Sequence, residues 1–528
     1  MNKKLWAALT VALAVACWCS PAAAYQLTVN AWIDGRTLLL VQGNTVRWHN
    51  LEWNAPGYEG QDTPLPTDLT TKDMGKTVHW YPDWPGGHSG DVWSSTFTGL
   101  NRPLAAVEQT VTLTGKVRGT ATISQQPSAA NGYMLIVDLD DSEGLPGAAW
   151  YKVTLDYTSG PGLQDLGVLE GMTESEVYAI NSKGQVCGES WDNGYLSSRA
   201  FFWDPKKKVL QDLGTPAEWT HSWPDAMNSK GQVAGELFNS DTGLRHIFLW
   251  DPKTQTMQDL ETLGGNNAWA AWHYGLSDKG QVCGSSEISP GGPYHAFLWD
   301  SKNQMQDLET LPGGAYSYAQ AINSKGQVVG YSDTGGQEHA FLWDSKNQMQ
   351  DLGTLPGGTW SRAYAINSKG QVCGESNVTL GGPGHAAFWD TKKKTVQDLG
   401  TLGGDWISAW YINSKGQVCG RSETGDGQQH AFFWDPATGG GMQDLGTLGG
   451  NWSRPDAINS LGQVCGYSGT ADGQYHGFFW DPKNPTALLD LGTLGGDRSW
   501  GDDIGSKGQV VGGAEDADGY EHAVIWTP

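Results

Sequence analysis

The chain has 528 residues, 57 of them acidic and 33 basic, for a formal net charge of −24 at pH 7. A surface this acidic repels phosphate backbones and excludes a nucleic-acid partner. Hydrophobic residues at 38% and aromatics at 11% exclude general disorder, and 73 glycines, about twice the ordinary share of roughly 7%, point to many short strands joined by tight turns.

Residues 1–24 read as a secretory leader. Asn2, Lys3 and Lys4 open it, residues 5–19 form an apolar run, and Ala22-Ala23-Ala24 offers a small-residue cleavage site. Export to an extracellular or periplasmic space is expected, with Tyr25 first in the mature chain. Loss of Lys3 and Lys4 then leaves 31 basic against 57 acidic residues, a net −26. The apolar run falls short of the roughly 20 residues a membrane span needs, Pro21 follows it, and no later segment is long or apolar enough. Cys17 after Ala14-Val15-Ala16 is a looser match to an acylation site, the lipoprotein alternative.

Residues 25–158 do not repeat. Alternating runs at 38–41, 45–48, 110–113, 133–139 and 150–155, with turns at Asp34-Gly35 and Gly43-Asn44, predict a small all-β sandwich. Asp138, Asp140, Asp141 and Glu143 form an acidic cluster whose oxygens would suit calcium; no metal and no cofactor is assigned. Residues 158–162 are a linker of Thr, Ser, Gly and Pro.

From residue 163 to 528 one pattern recurs. Its glycine falls at Gly184, Gly231, Gly280, Gly326, Gly370, Gly416, Gly462 and Gly508, with gaps of 47, 49, 46, 44, 46, 46 and 46. This period suits a four-strand blade, and helical periodicity is absent. In the fifth copy, strands A to D are expected at 363–366, 371–375, 385–389 and 395–399, with Asn367-Ser368-Lys369-Gly370 as a tight turn between A and B. The eighth copy lacks a strand D, while Leu163-Gln164-Asp165-Leu166-Gly167 is a spare one before the first copy. A ring would use the spare strand to complete its last blade and remove exposed edges. The expected fold class is therefore all-β: an eight-bladed β-propeller of 46-residue repeats closed by an N-terminal strand and preceded by a small β-sandwich domain.

The triplets His339-Ala340-Phe341 and His430-Ala431-Phe432, followed by Leu or Phe and Trp-Asp, recur beside Asp-Leu-Gly-Thr-Leu-Gly-Gly and Ile-Asn-x-x-Gly-Gln-Val. With these motifs in phase over about residues 163–526, the chain resembles the HAF family of extracellular repeats. The resemblance implies export and repetition and transfers no activity or site residue. Arg199 replaces the histidine in the first copy, and Gly505 replaces the asparagine in the last.

Repeat positions suggest packing before chemistry. Cys187, Cys283, Cys373, Cys419 and Cys465 share one position with Ala234, Val329 and Val511, so a small apolar group suffices there. His246, His295, His339, His385, His430, His476 and His522 all open strand C, too far apart in a ring to converge on one ion, and are expected to hydrogen-bond a loop within their own blade. Acidic loops such as Asp516-Ala517-Asp518-Gly519 lack the remaining ligands of a calcium loop and read as Asx turns. No nucleophile elbow, zinc-protease motif or phosphate-binding glycine loop is present.

All 17 lysines after residue 160 fall on A-to-B or C-to-D turns, and all six arginines fall on or beside the opposite loops. The lysine face reads as solvated. On the arginine face, Tyr316, Trp360, Trp406 and Trp452 stand seven residues before the asparagine that follows strand A, with Arg362 and Arg454 nearby. These six are the candidate ligand-binding residues, because an aromatic ring can stack on a sugar while polar neighbours bind hydroxyls. The alternative is that the rings wedge between blades. The expected function is recognition or scaffolding of glycan or extracellular protein without catalysis; the alternative is a secreted carbohydrate-active enzyme using rim carboxylates.

Overall fold

A computed structural model describes residues 162–527 apart from positions 272, 273 and 440, and the backbone of nine strands between residues 25 and 157. Among the described residues there is no helix, and hence none long and apolar enough to cross a membrane. The chain divides into two compact units. One takes residues 1–160 without 98–101 and 127–134, and the other takes those two short segments and everything after residue 160.

The first unit contains antiparallel sheet. Tyr25–Ile33 pairs with Ala149–Tyr157 on one side and Leu38–Gln42 on the other, and the sheet continues through Thr45–Val46 to Leu69–Thr70. A second sheet runs in the order Trp93–Thr98, Gly132–Leu139, Gly119–Ser128, Glu108–Leu113. Four of these strands, Tyr25–Ile33, Leu69–Thr70, Trp93–Thr98 and Gly119–Ser128, were not among the expected runs, although Tyr25–Ile33 alternates apolar and polar residues through Ala31. The calcium-suited cluster at Asp138, Asp140, Asp141 and Glu143 lies outside the residues whose side chains are described.

The second unit is a β-propeller-type array of repeats, each built of antiparallel strands, and single parallel pairings join the first two repeats and the last three into continuous sheets. In the fifth repeat the strands are Ser361–Ile366, Gln371–Asn377, Gly384–Asp390 and Thr395–Gly400, each pairing with the next. The turn between the first two closes as the sequence predicts. Gly370 takes φ 86°, its amide bonds the Asn367 carbonyl at 3.0 Å, and the left-handed φ explains why glycine recurs there. Gly374 has a different reason: a bulge at Ala363/Ala365 brings the Arg362 carbonyl within 1.9 Å of where a Cβ would stand.

The repeat histidine bonds through Nδ1 to an aspartate at or near the end of strand D of its sheet, as in His339 to Asp351 at 2.8 Å and His385 to Asp398 at 2.9 Å. The partner is thus a strand-end carboxylate rather than a loop group. Arg199 keeps the pair in the first repeat, binding Asp212 at 2.5 Å. The alanine amide donates to a serine that opens strand A of the following repeat, Ala340 to Ser361 at 2.9 Å. The phenylalanine and tryptophan, Phe341 and Trp343, are buried, as are the five described cysteines, whose thiols burial pushes above their ordinary pKa.

Core clusters lie between consecutive sheets. One joins Ala321, Val329, Ala340 and Leu342 of the fourth repeat to Leu355, Ile366, Val372 and Trp389 of the fifth. The same positions meet between the last repeat and the first: Val511, Ala523 and Ile525 pack on Leu169, Ile180, Val186 and Trp203. The spare strand, Gly162–Gly167, pairs antiparallel with Glu521–Thr527, setting Leu163 opposite Trp526. His522 takes Asp165 as its partner at 3.0 Å. Ala523 donates to Ser175 at 2.9 Å, the bond that Ala340 makes to the next repeat.

An asparagine belt ties neighbouring repeats on the lysine side. Asn367 accepts from the Lys369 and Gln371 amides, and its Nδ2 donates to Gln371 Oε1 and to the Asn413 carbonyl of the next repeat at 3.0 Å. Asn413 repeats the arrangement toward Asn459, and Asn459 toward Gly505. Asn367→Ala removes all four bonds and should lower the unfolding free energy by roughly 2 kcal/mol in chemical denaturation. Ser368→Ala, on the exposed turn, should leave it unchanged.

Candidate functional site

The fourth and fifth repeats build a cleft of about 350 Å³, lined by Tyr316, Gly336, Gln337, Glu338, Trp360 and Arg362. Tyr316 and Trp360 sit just before strands Ser317–Ile322 and Ser361–Ile366, Arg362 is on the latter, and Glu338 opens Glu338–Asp344. The glycine-rich loop before Glu338 is pinned by Asp333, whose Oδ1 accepts from the Gly335 and Gly336 amides at 3.0 and 2.9 Å. Those bonds hold the Asp333 carboxyl below its ordinary pKa.

Glu338 is the hub. Its Oε1 accepts from the Tyr316 hydroxyl at 3.1 Å and its Oε2 from Arg362 Nε at 2.5 Å. Burial and the Glu338 charge raise the Tyr316 pKa. Desolvation opposes charge on Arg362, but the Glu338 hydrogen bond and charge outweigh it and hold the guanidinium above its usual range. The guanidinium also lies 5.1 Å from the Tyr331 ring centre and 5.9 Å from that of Trp360.

Trp360 is half-buried because Gly384, in its own repeat, leaves room for the indole: a Cβ there would stand 3.2 Å from Trp360 Cη2. Trp452 rests on its own repeat in the same way, over Gly469. Chemically the cleft offers aromatic faces, a fixed carboxylate, a guanidinium and the Gln337 amide, a set suited to hydroxyl-rich ligands.

The candidate residues fall into two groups. Tyr316, Trp360 and Arg362 meet in the cleft. Trp406, Trp452 and Arg454 belong to the sixth and seventh repeats, joined through Trp410 and Tyr467: Trp406 to Trp410 at 6.3 Å, Arg454 to Trp410 at 5.3 Å and to Tyr467 at 5.7 Å, Trp452 to Tyr467 at 5.4 Å. Trp406 is 39% exposed, the most open tryptophan among the described residues.

Sequence reasoning missed Glu338, Gln337 and Gly336. The available signal was the residue before the repeat histidine, which varies through Arg245, Tyr294, Glu338, Gly384, Gln429, Tyr475 and Glu521 while its surroundings stay constant.

Carboxyls with raised pKa occur elsewhere. Burial pushes Glu176 to about 7, against hydrogen bonds from Trp500 and Asp502, and Asp502 is raised by burial and by Glu176. Burial likewise raises Glu236 to about 7 against its Arg245 partner. Among the described residues no group of three or more His, Cys, Asp or Glu side chains could hold a metal ion.

No family model and no curated protein matches this sequence. Solved structures give distant likenesses. A structure of two prolyl endopeptidases aligns at 10% identity and TM-score 0.46 over 67% of this chain, which spans about half, 54%, of that one. The Dos1 propeller aligns at 12% identity and TM-score 0.43, covering 69% of this chain and 94% of that one. The β-propeller domain of the Trilobed protease from Pyrococcus furiosus aligns at 11% identity and TM-score 0.34, covering 65% and 97%.

Proposed function

We propose that the chain is an exported HAF-type repeat protein whose repeats close into an eight-bladed propeller and whose loop face recognises glycan without catalysis. Support for closure comes from the spare strand, which supplies the last repeat with its fourth strand, and from the junction of last and first repeats, which reuses the serine bond and core positions found between internal repeats. The observation that carries the binding reading is the cleft of Tyr316, Trp360, Arg362 and Glu338. Its one carboxylate is already engaged by a tyrosine and an arginine, which suits holding hydroxyls better than moving protons. A glycan and polysaccharide array of the mature protein tests it. Saccharide binding that weakens in Trp360→Ala is the expected result, and an array without any bound saccharide would remove the reading.

A second reading, a carbohydrate-active enzyme, is favoured by Glu176 and Asp502, close carboxyls with raised pKa. It requires array-positive saccharides to be cleaved, and cleavage to stop in Glu176→Gln.

A further inference from the structure

Among the described residues the chain has six arginines, and five are paired with a carboxylate: Arg199 with Asp212, Arg245 with Glu236, Arg362 with Glu338, Arg454 with Asp456 and Arg498 with Glu515. Arg421 is the exception. It sits on Val418–Thr424 in the sixth repeat, half-buried, with no carboxylate within ion-pair distance, its buried Nε without a hydrogen-bond partner, and its guanidinium 5.9 Å from the centre of the exposed Trp406 ring. Arg454 of the seventh repeat is close enough for its charge to be felt. Desolvation first, and Arg454 second, press the Arg421 pKa below its ordinary value, against the opposing pull of Tyr467 and Asp456. A half-buried guanidinium left unpaired beside another is a cost to the fold that a bound anion would relieve. In a protein of net charge −24, leaving it unpaired is not for want of acids.

We infer that Arg421, flanked by Arg454 and covered by Trp406, docks the carboxylate of an acidic saccharide. A saccharide ligand rests on the glycan reading and on the exposed indole; its negative charge rests on the unpaired guanidinium. A planar guanidinium fork matches a sugar carboxylate, and the indole stacks on the ring that bears it.

Asp456 supplies a distinguishing readout. Its side chain is buried, Oδ1 lies 3.2 Å from Arg454 Nε, and Oδ2 has no hydrogen-bond partner. Burial raises its pKa to about 7, against the charges of Arg454 and Arg421. Tyr411 on Gly403–Ile412, Tyr467 on Val464–Thr470 and Asp502 on Gly495–Ile504 also face it, together with the thiols of Cys419 and Cys465. Protonated, Asp456 no longer competes for the two guanidiniums. Affinity for a ligand carboxylate, itself ionised throughout, should therefore rise as pH falls from 8 to 6.

The test is calorimetric titration of the full chain with alginate and hyaluronan oligosaccharides and with their neutral methyl esters. The acid form of at least one should bind roughly tenfold tighter than its ester, more so at pH 6 than at pH 8. Arg421→Gln should remove the preference, Arg421→Lys should keep part of it, and circular dichroism confirms that both are folded. Equal binding of acid and ester, or an unchanged preference in Arg421→Gln, overturns the inference. If neutral glycans bind and acids gain no advantage, this inference falls while the glycan reading stands. If no saccharide binds, neutral or acidic, both fall.

Discussion

Replacing residues 163–166 with a Gly-Ser run of equal length should lower the unfolding free energy by roughly 3 kcal/mol or more and make the chain self-associate. Leu163 and Leu166 pack on the clusters of the last and first repeats, and truncating even partly buried leucines costs on the order of 1–3 kcal/mol each. His522 would lose Asp165, and the strand Glu521–Thr527 would become an edge with unpaired amides and carbonyls. The same replacement at residues 206–208, on an exposed turn, is the control. Chemical denaturation and light scattering read the two effects. A variant as stable and as dispersed as the parent would mean that the spare strand does not complete the last repeat.

Stability should also fall as pH rises from 5 to 8. Burial lifts Glu176, Glu236 and Asp456 to about 7 and Asp503 to about 6, well above the range of carboxyls in an unfolded chain. Between pH 4 and 7 the folded state thus holds more protons than the unfolded state. The slope of unfolding free energy with pH is then negative, about 1.4 kcal/mol per pH unit for each such proton. His476 and His522 are raised by the hydrogen bonds to Asp490 and Asp165, so their contribution is present below the ordinary histidine pKa and lost as pH passes their folded values. Both classes act in one direction. Part of the weakening falls where the last repeat meets the first, since Glu176 accepts from Trp500 Nε1 and Asp503 accepts from the Ile180 amide at 2.9 Å. Melting temperature measured across this range should drop by at least several degrees, and a flat or rising profile would contradict the assignment of these groups as buried acids.

Most of the array was legible in the sequence because a repeat states each packing rule eight times. The strands of the fifth repeat lie within two residues of the expected runs, and the recurring histidine, serine, asparagine and glycine each have one bonding role. The first unit was harder to read, because each strand occurs once and no second copy marks its run. At the candidate site, the repeat offset found Tyr316 and Trp360. It could not find Glu338, which belongs to the preceding sheet's third strand and reaches Arg362 only because consecutive sheets pack side by side. Nor could it reveal that Arg421 makes no ion pair, because four of the five arginine pairs join residues on different strands.

Recognition through aromatic rings on the loop face is tested most directly by a variant carrying Trp360→Ala, Trp406→Ala and Trp452→Ala, compared with the parent by titration and scanning calorimetry. A stacked ring contributes on the order of 1 kcal/mol, so loss of three should abolish measurable glycan binding. Trp406 is 39% exposed, and the other two rest on glycines of their own repeats, so the melting temperature should fall by only a few degrees. Unchanged binding, or a variant that no longer folds because the rings were wedges between repeats, would contradict the account.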